Sequence, residues 1–169
     1  MRAMFLLAIG LLLAACVSTT ETPAELLPPA PDRQSELTRL YDRLALLDAS
    51  IADAAATTCA QGDDRDRRFL SSLWGTRPKN ASAARRFGKA LSATSHHEES
   101  LQWLERAYAE TPASDDNLGW LRLEMAEQYL ALGKRDEAIN LLGNRLGATP
   151  LPAELQKKYD ELIERASRS

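Results

Sequence analysis

The sequence predicts an all-α protein built from antiparallel helix pairs stacked one on the next, with a long helix ahead of them and a closing helix behind. Three observations predict it. From residue 35 onward alanine, leucine, glutamate and arginine dominate while glycine and proline are sparse, a helical composition. Apolar residues recur there at steps of three and four, the rhythm of a helix with one buried face. No stretch reads as a strand.

The chain has 169 residues and divides into four parts. Residues 1–15 place one charge, Arg2, before an apolar run from Met4 to Ala15. That run is too short for a stable membrane span, which takes roughly 20 residues. It has the layout of a secretory signal peptide, with small residues at the cut. Leu13-Ala14-Ala15-Cys16 resembles the lipobox of bacterial lipoproteins. The resemblance implies cleavage after Ala15, diacylation of Cys16 and acylation of its new amine, and so a covalent lipid with no other cofactor. Val17 and Ser18 follow Cys16, where many inner-membrane lipoproteins carry aspartate. The resemblance therefore implies an outer-membrane anchor facing the periplasm. Residues 16–34 hold four of the eight prolines and lack an apolar face, which suits an extended tether. At up to about 3.3 Å per residue it would reach several tens of ångströms.

Residues 35–80 read as the N-terminal helices. Ser35 suits a helix cap. Leu37, Leu40, Leu44, Leu47, Ile51 and Ala54 then form one stripe, predicting a continuous helix of about 25 residues. The same stripe is also a candidate surface for a homodimer. Gln61 to Asp64 break the pattern, and residues 65–74 form a short helix ended by Gly75 and Pro78. Residues 81–169 read as helix pairs with a closing helix. Asn80 caps the helix over 81–93. Ser95 and Glu98 fit a capping box for the next, which closes near Pro112. Ser114, Asp115 and Asp116 begin a helix carrying Leu118, Leu121, Met125 and Tyr129. Gly133 ends it. Residues 135–146 and 152–168 follow, the latter opened by Pro152.

Residues 81–112 and 119–150 can be laid over each other. Gly88, Leu91, Ser100, Leu104 and Pro112 in the first copy answer Ala126, Tyr129, Ala138, Leu142 and Pro150 in the second; Phe87 and Ala107 fill the large and small sites beside them in the first, and Gly133 makes the inter-helix turn of the second. Both copies resemble the tetratricopeptide repeat, a pair of antiparallel helices in which small residues allow close approach and proline stops the unit. Arg145 departs from that pattern. The resemblance implies a groove walled by the first helix of each pair, with Arg85, Lys89, Trp120, Leu123 and Glu127 facing it. Arg85 and Lys89, one helical turn apart, suit a carboxylate. Trp120 suits either an anchor for an apolar side chain or a filler between units.

No catalytic arrangement appears. His96 and His97 are adjacent, so on a helix they diverge by about 100° and cannot easily share a metal. No HExxH motif, nucleophile elbow or glycine-rich phosphate loop is present. The expectation is a non-enzyme with no metal site. The formal net charge of −3 does not favour nucleic acid. Eight basic residues lie between Asp63 and Lys89 against three acidic ones. They fit either solvated faces or a patch for an acidic partner such as anionic lipid or cell-wall polymer. Cys59, once Cys16 is acylated, is the remaining thiol. It suits a packed small residue, or an intermolecular disulfide in an oxidising compartment.

The expected function is a membrane-anchored envelope lipoprotein acting as an interaction scaffold or assembly factor, similar to pilotins and accessories of envelope machinery. Its partner would be an envelope protein held in the groove. The alternative is a structural lipoprotein that binds peptidoglycan or self-associates through its N-terminal helix.

Overall fold

A computed structural model describes residues 27–143 and 152–168. Among them lie eight helices and no strand. They are α1 (Pro31–Leu44), α2 (Ala49–Ala60), α3 (Asp64–Thr76), α4 (Ala81–Ala93), α5 (His97–Glu110), α6 (Asn117–Ala131), α7 (Arg135–Gly143) and α8 (Ala153–Arg168). The signal-peptide and lipobox residues, most of the tether, Arg145 and Pro150 lie outside the described residues.

The expected long N-terminal helix is two helices. α1 starts at Pro31, inside the proline-rich stretch 16–34 rather than after it, because proline suits the first helical turn where its missing N–H has no partner to lose. Ser35 is therefore inside the helix and caps nothing; its hydroxyl donates to the Pro31 carbonyl at 3.0 Å. α1 stops at Leu44, and Asp48 opens α2 by accepting from the N–H groups of Ser50 and Ile51 at 3.0 and 3.3 Å. The apolar stripe misled because α2 buries its small residues instead. Ala52, Ala55, Ala56, Cys59 and Ala60 face the core, while Leu47 and Ile51 are exposed. Alanines let α2 lie close against α1 and α4, a contact that larger side chains would hold apart.

The expected break at Gln61 to Asp64 is present but one residue shorter, since α3 already begins at Asp64 and runs through Gly75 to Thr76; the expected start at Asn80 is also present. Asp63 caps α3 through the N–H groups of Arg65 and Asp66, both at 2.9 Å. Asn80 caps α4 through Ala83 N–H at 2.9 Å. The Ser95–Glu98 capping box is not formed. Ser95 sits in the left-handed region, φ 64°, where it ends α4 instead of starting α5. Its N–H donates to Ser92 O at 3.0 Å, and His96 N–H donates to Leu91 O at 2.9 Å. This pair of bonds is a Schellman motif. Gly133, φ 71°, closes α6 the same way, with Gly133 N–H on Leu130 O at 3.1 Å and Lys134 N–H on Tyr129 O at 2.8 Å. Ser95 and Gly133 stand 38 residues apart, the same offset as Ala81 and Gly119, where the two copies begin.

The first hairpin, α4 with α5, is the most extensive helix–helix contact among the described residues. A Cβ on Gly88 would meet Leu104 Cγ at 3.0 Å and the Ser100 carbonyl oxygen at 3.2 Å. The Ser100 hydroxyl, fully buried, donates to the Gly88 carbonyl at 2.7 Å. Trp103 packs edge-on against Phe87, with ring centroids 4.9 Å apart, and against Trp74 at 5.7 Å. Helices α1–α5 enclose this cluster, and Leu121 and Met125 of α6 complete it. A second cluster joins Leu123 and Ala126 of α6, Ala138 and Leu142 of α7, and Leu155 and Leu162 of α8. The last helix, expected to close the array, packs on α6 and α7. Leu155 sits against Gly119, where a Cβ would lie 2.6 Å from Leu155 Cδ2.

The two left-handed turns predict opposite responses to removing and to adding a Cβ. Ser95→Gly removes the steric cost of a Cβ at positive φ and should raise stability by about 0.5–1 kcal/mol. Gly133→Ala introduces that cost and should lower stability by about 1 kcal/mol. Urea unfolding followed by far-ultraviolet circular dichroism measures both. Equal signs would contradict the shared turn geometry.

Candidate functional site: a charged cleft between two helix hairpins

α4 and α6, the leading helices of the two hairpins, are stitched by a polar seam. Arg85 of α4 donates from Nε and Nη2 to the two carboxylate oxygens of Glu124 on α6, each at 2.8 Å. Its Nη1 donates to Asn117 Oδ1 at 3.1 Å. One turn farther along, Gln128 Nε2 donates to Ser92 Oγ at 2.9 Å, and Gln128 Oε1 lies 3.0 Å from His97 Nδ1. Glu124 and Gln128 are both buried. A fork-to-fork guanidinium–carboxylate pair fixes distance and angle together, so this seam sets the mutual position of the hairpins.

Beside the seam lies a cleft of about 340 Å³. Arg85 and Lys89 line it from α4, Trp120, Glu124 and Glu127 from α6, and Lys158 from α8. Lys158 Nζ is 3.3 Å from Glu127 Oε1. Trp120 is half-buried, with part of its ring on the second apolar cluster. Lys89 is exposed and makes no ion pair among the described residues. The cleft thus offers one aromatic surface, two internally matched ion pairs and one unmatched cation. That combination suits a polypeptide segment better than a small apolar ligand.

Four of the five residues expected on a groove therefore share this cleft: Arg85, Lys89, Trp120 and Glu127. Leu123 does not. It is 2% exposed inside the second cluster, because α6 buries two faces rather than one. Arg85 is also not a free clamp for an incoming carboxylate, since Glu124 already occupies it. The residues missed by sequence reasoning are Glu124, Gln128 and Lys158. The signal for the first two was their place as polar side chains within an apolar helix; Lys158 comes from a helix whose docking no local pattern reveals.

The other sequence candidates resolve into structural roles. The basic segment is mostly neutralised within the fold. Arg65 pairs with Asp63, Arg77 with Asp42, Lys79 with Glu110 and Arg86 with Asp53. Arg67 is buried and held by Glu99, Asp64 and the Gly62 carbonyl. Only Arg68 and Lys89 of the eight are without an ion pair among the described residues. His96 and His97 face different partners, Thr94 and Gln128. Among the described residues no group of three His, Cys, Asp or Glu side chains could hold a metal. Cys59 is fully buried, so an intermolecular disulfide through it has no access. Burial pushes its thiol from 9.0 up to about 12.

No family model, curated protein or solved structure matches the chain.

Two outcomes follow from this geometry. Arg85→Ala strands a buried carboxylate and should cost about 2 kcal/mol in urea unfolding, whereas Lys89→Ala should stay within about 0.5 kcal/mol. Cys59 should resist iodoacetamide at pH 8 in the folded protein and react only as the chain unfolds, read by mass spectrometry of its peptide. Because its folded pKa is the raised one, its contribution to stability is complete below about pH 9 and is lost as pH rises toward 12. Rapid native labelling would contradict the burial.

Proposed function

We propose that this protein is a lipid-anchored scaffold of the bacterial envelope that holds a segment of a partner protein in the cleft between α4 and α6. The observation that carries the reading is the cleft itself: the leading helices of two hairpins, turned by the same motif 38 residues apart, wall one site with Lys89 and Trp120 at its mouth. A tetratricopeptide-like stack has this organisation, and such stacks bind extended or helical peptides along the leading helices. The buried positions support the likeness. Phe87, Ser100 and Leu104 in the first hairpin answer Met125, Ala138 and Leu142 in the second, and all six are buried.

Cys16 is the proposed lipid attachment site, freed by cleavage after Ala15. Two or three acyl chains anchor stably where one holds weakly. The tether then lets the domain work some distance from the outer membrane, on its periplasmic side. In this reading the protein is not an enzyme and needs no cofactor beyond its lipid. Its role is that of an assembly factor, similar to pilotins and other accessories that deliver or steady envelope machinery.

Two measurements test the two halves of the proposal. Cells fed an alkyne-bearing fatty acid should label the wild-type protein and not Cys16→Ser; an unlabelled wild type would remove the anchor. A photoreactive residue in place of Lys89, and separately of Trp120, should crosslink one discrete envelope protein from both positions. Lys89 is the better probe than Arg85, whose loss disturbs the fold. Capture of nothing at either position would remove the groove.

A further inference from the structure

The turn between α1 and α2 carries an apolar tip that the fold does not use. Among the described residues, three of the four large exposed hydrophobics fall within this one short stretch: Leu46 at 43%, Leu47 at 101% and Ile51 at 44%. A turn capped by Asp48 has no structural need for leucine at 47. Water-facing apolar residues grouped in this way mark contact surfaces.

Next to the tip lies a groove of about 380 Å³ between the two helices that the turn joins. Leu40 and Arg43 line it from α1, and Ile51, Ala54 and Thr58 from α2. Small residues on the α2 wall leave it open. Knob and groove are thus adjacent on one element pair, which is what an isologous contact requires.

The charges are complementary in the same sense. Arg43 is exposed and makes no ion pair among the described residues. Asp48 spends only Oδ1 on its cap, accepting from Ser50 and Ile51 there, and Oδ2 has no partner among the described residues. Arg43 and Asp48 are not bonded to each other within the chain. An anionic membrane fits the tip less well, because Asp42 and Asp53 neutralise Arg77 and Arg86 there and Asp48 offsets Arg43, which leaves no net positive charge to draw the tip to acidic head groups.

We propose that the turn is a self-docking device: Leu47 of one copy enters the α1–α2 groove of a second copy, and Asp48 meets the second copy's Arg43 across a twofold axis. The surface is small, so the pairing is weak and transient in dilute solution. Confinement to a membrane would raise the effective concentration and strengthen it. The proposal does not rest on the cleft between α4 and α6, which lies on other helices.

The test uses the full chain in its native host. One copy carries a photoreactive residue at position 47, an exposed site whose replacement leaves the core intact. A second, epitope-tagged copy is wild type. Irradiation should give a crosslinked pair whose attachment maps to residues 40–58 of the tagged copy. Ala54→Trp in the tagged copy fills the groove and should abolish the product. Arg43→Asp there should lower its yield about threefold, the scale of an exposed ion pair. Asp48→Asn, which keeps the cap, should do the same in the probe copy. A crosslink to lipid alone, to a different protein alone, or to nothing overturns the proposal. So does a crosslinked pair indifferent to Ala54→Trp.

Discussion

The approach of α4 to α5 at Gly88 is the constraint on which the other packing depends. With no side chain at Gly88, the Leu104 isobutyl group and the Ser100 backbone come within van der Waals reach of the α4 axis. Phe87, next to Gly88, is thereby pressed against Trp103, and Trp103 gathers Trp74 and Tyr41 around it. Arg106 lies 4.4 Å over the same indole and donates to Ser71, so even the rim of the cluster is tied to α3. Helices α1 and α2 pack on α4, α3 reaches α5 through Trp74 and Arg67, and α6 packs on α5. Widening it by one methylene would reach all of them, since close-packed interiors pass strain on rather than absorb it.

Much of this was legible in the sequence, and the failures have specific causes. The helix pairs after residue 80 were legible because each carries its own punctuation, Asn80, Gly133 and Pro152 among them, and a one-faced apolar rhythm. The joint at Asp48 was not, because the leucine–isoleucine rhythm runs through it unbroken. Periodicity weighs large apolar residues, and α2 is packed through alanine and Cys59. Ser95 misled differently: a serine before Glu98 satisfies the pattern of a helix start, yet the preceding helix needed a residue at positive φ and took it. In the cleft, the α4 contributors were legible from the repeat. Glu124 and Lys158 were not, since their value lies in partners 39 and 31 positions away.

Charge in this protein works mainly inward. The segment from Asp63 to Lys89 has the composition of a polyanion-binding patch, but its guanidinium groups act as struts between helices. Arg33, in the first turn of α1, reaches Asp66 of α3 at 2.6 and 3.0 Å, and its proton is held more tightly than usual by that carboxylate and by Glu36. Arg67 joins α3 to α5 through Glu99, Arg86 joins α4 to the carbonyls ending α1, and Arg85 joins α4 to α6. Such contacts contribute modestly to stability where they are exposed. They do fix which helices are neighbours, because a buried guanidinium left without its carboxylate is costly.

α6 presents Leu121 and Met125 to one cluster and Leu123 and Ala126 to the other. It therefore lacks a fully polar side and belongs to both cores at once. Tyr129 and Leu141 touch both clusters as well. The packing accordingly forms two blocks sharing a common wall. Opening of α7 and α8 would expose only one side of α6 and leave its backbone amides protected by the larger block. In such an excursion the cleft loses Lys158 and the support beneath Trp120 but keeps Arg85, Glu124 and Lys89. The cleft can thus be remade at one edge without melting the body that carries it.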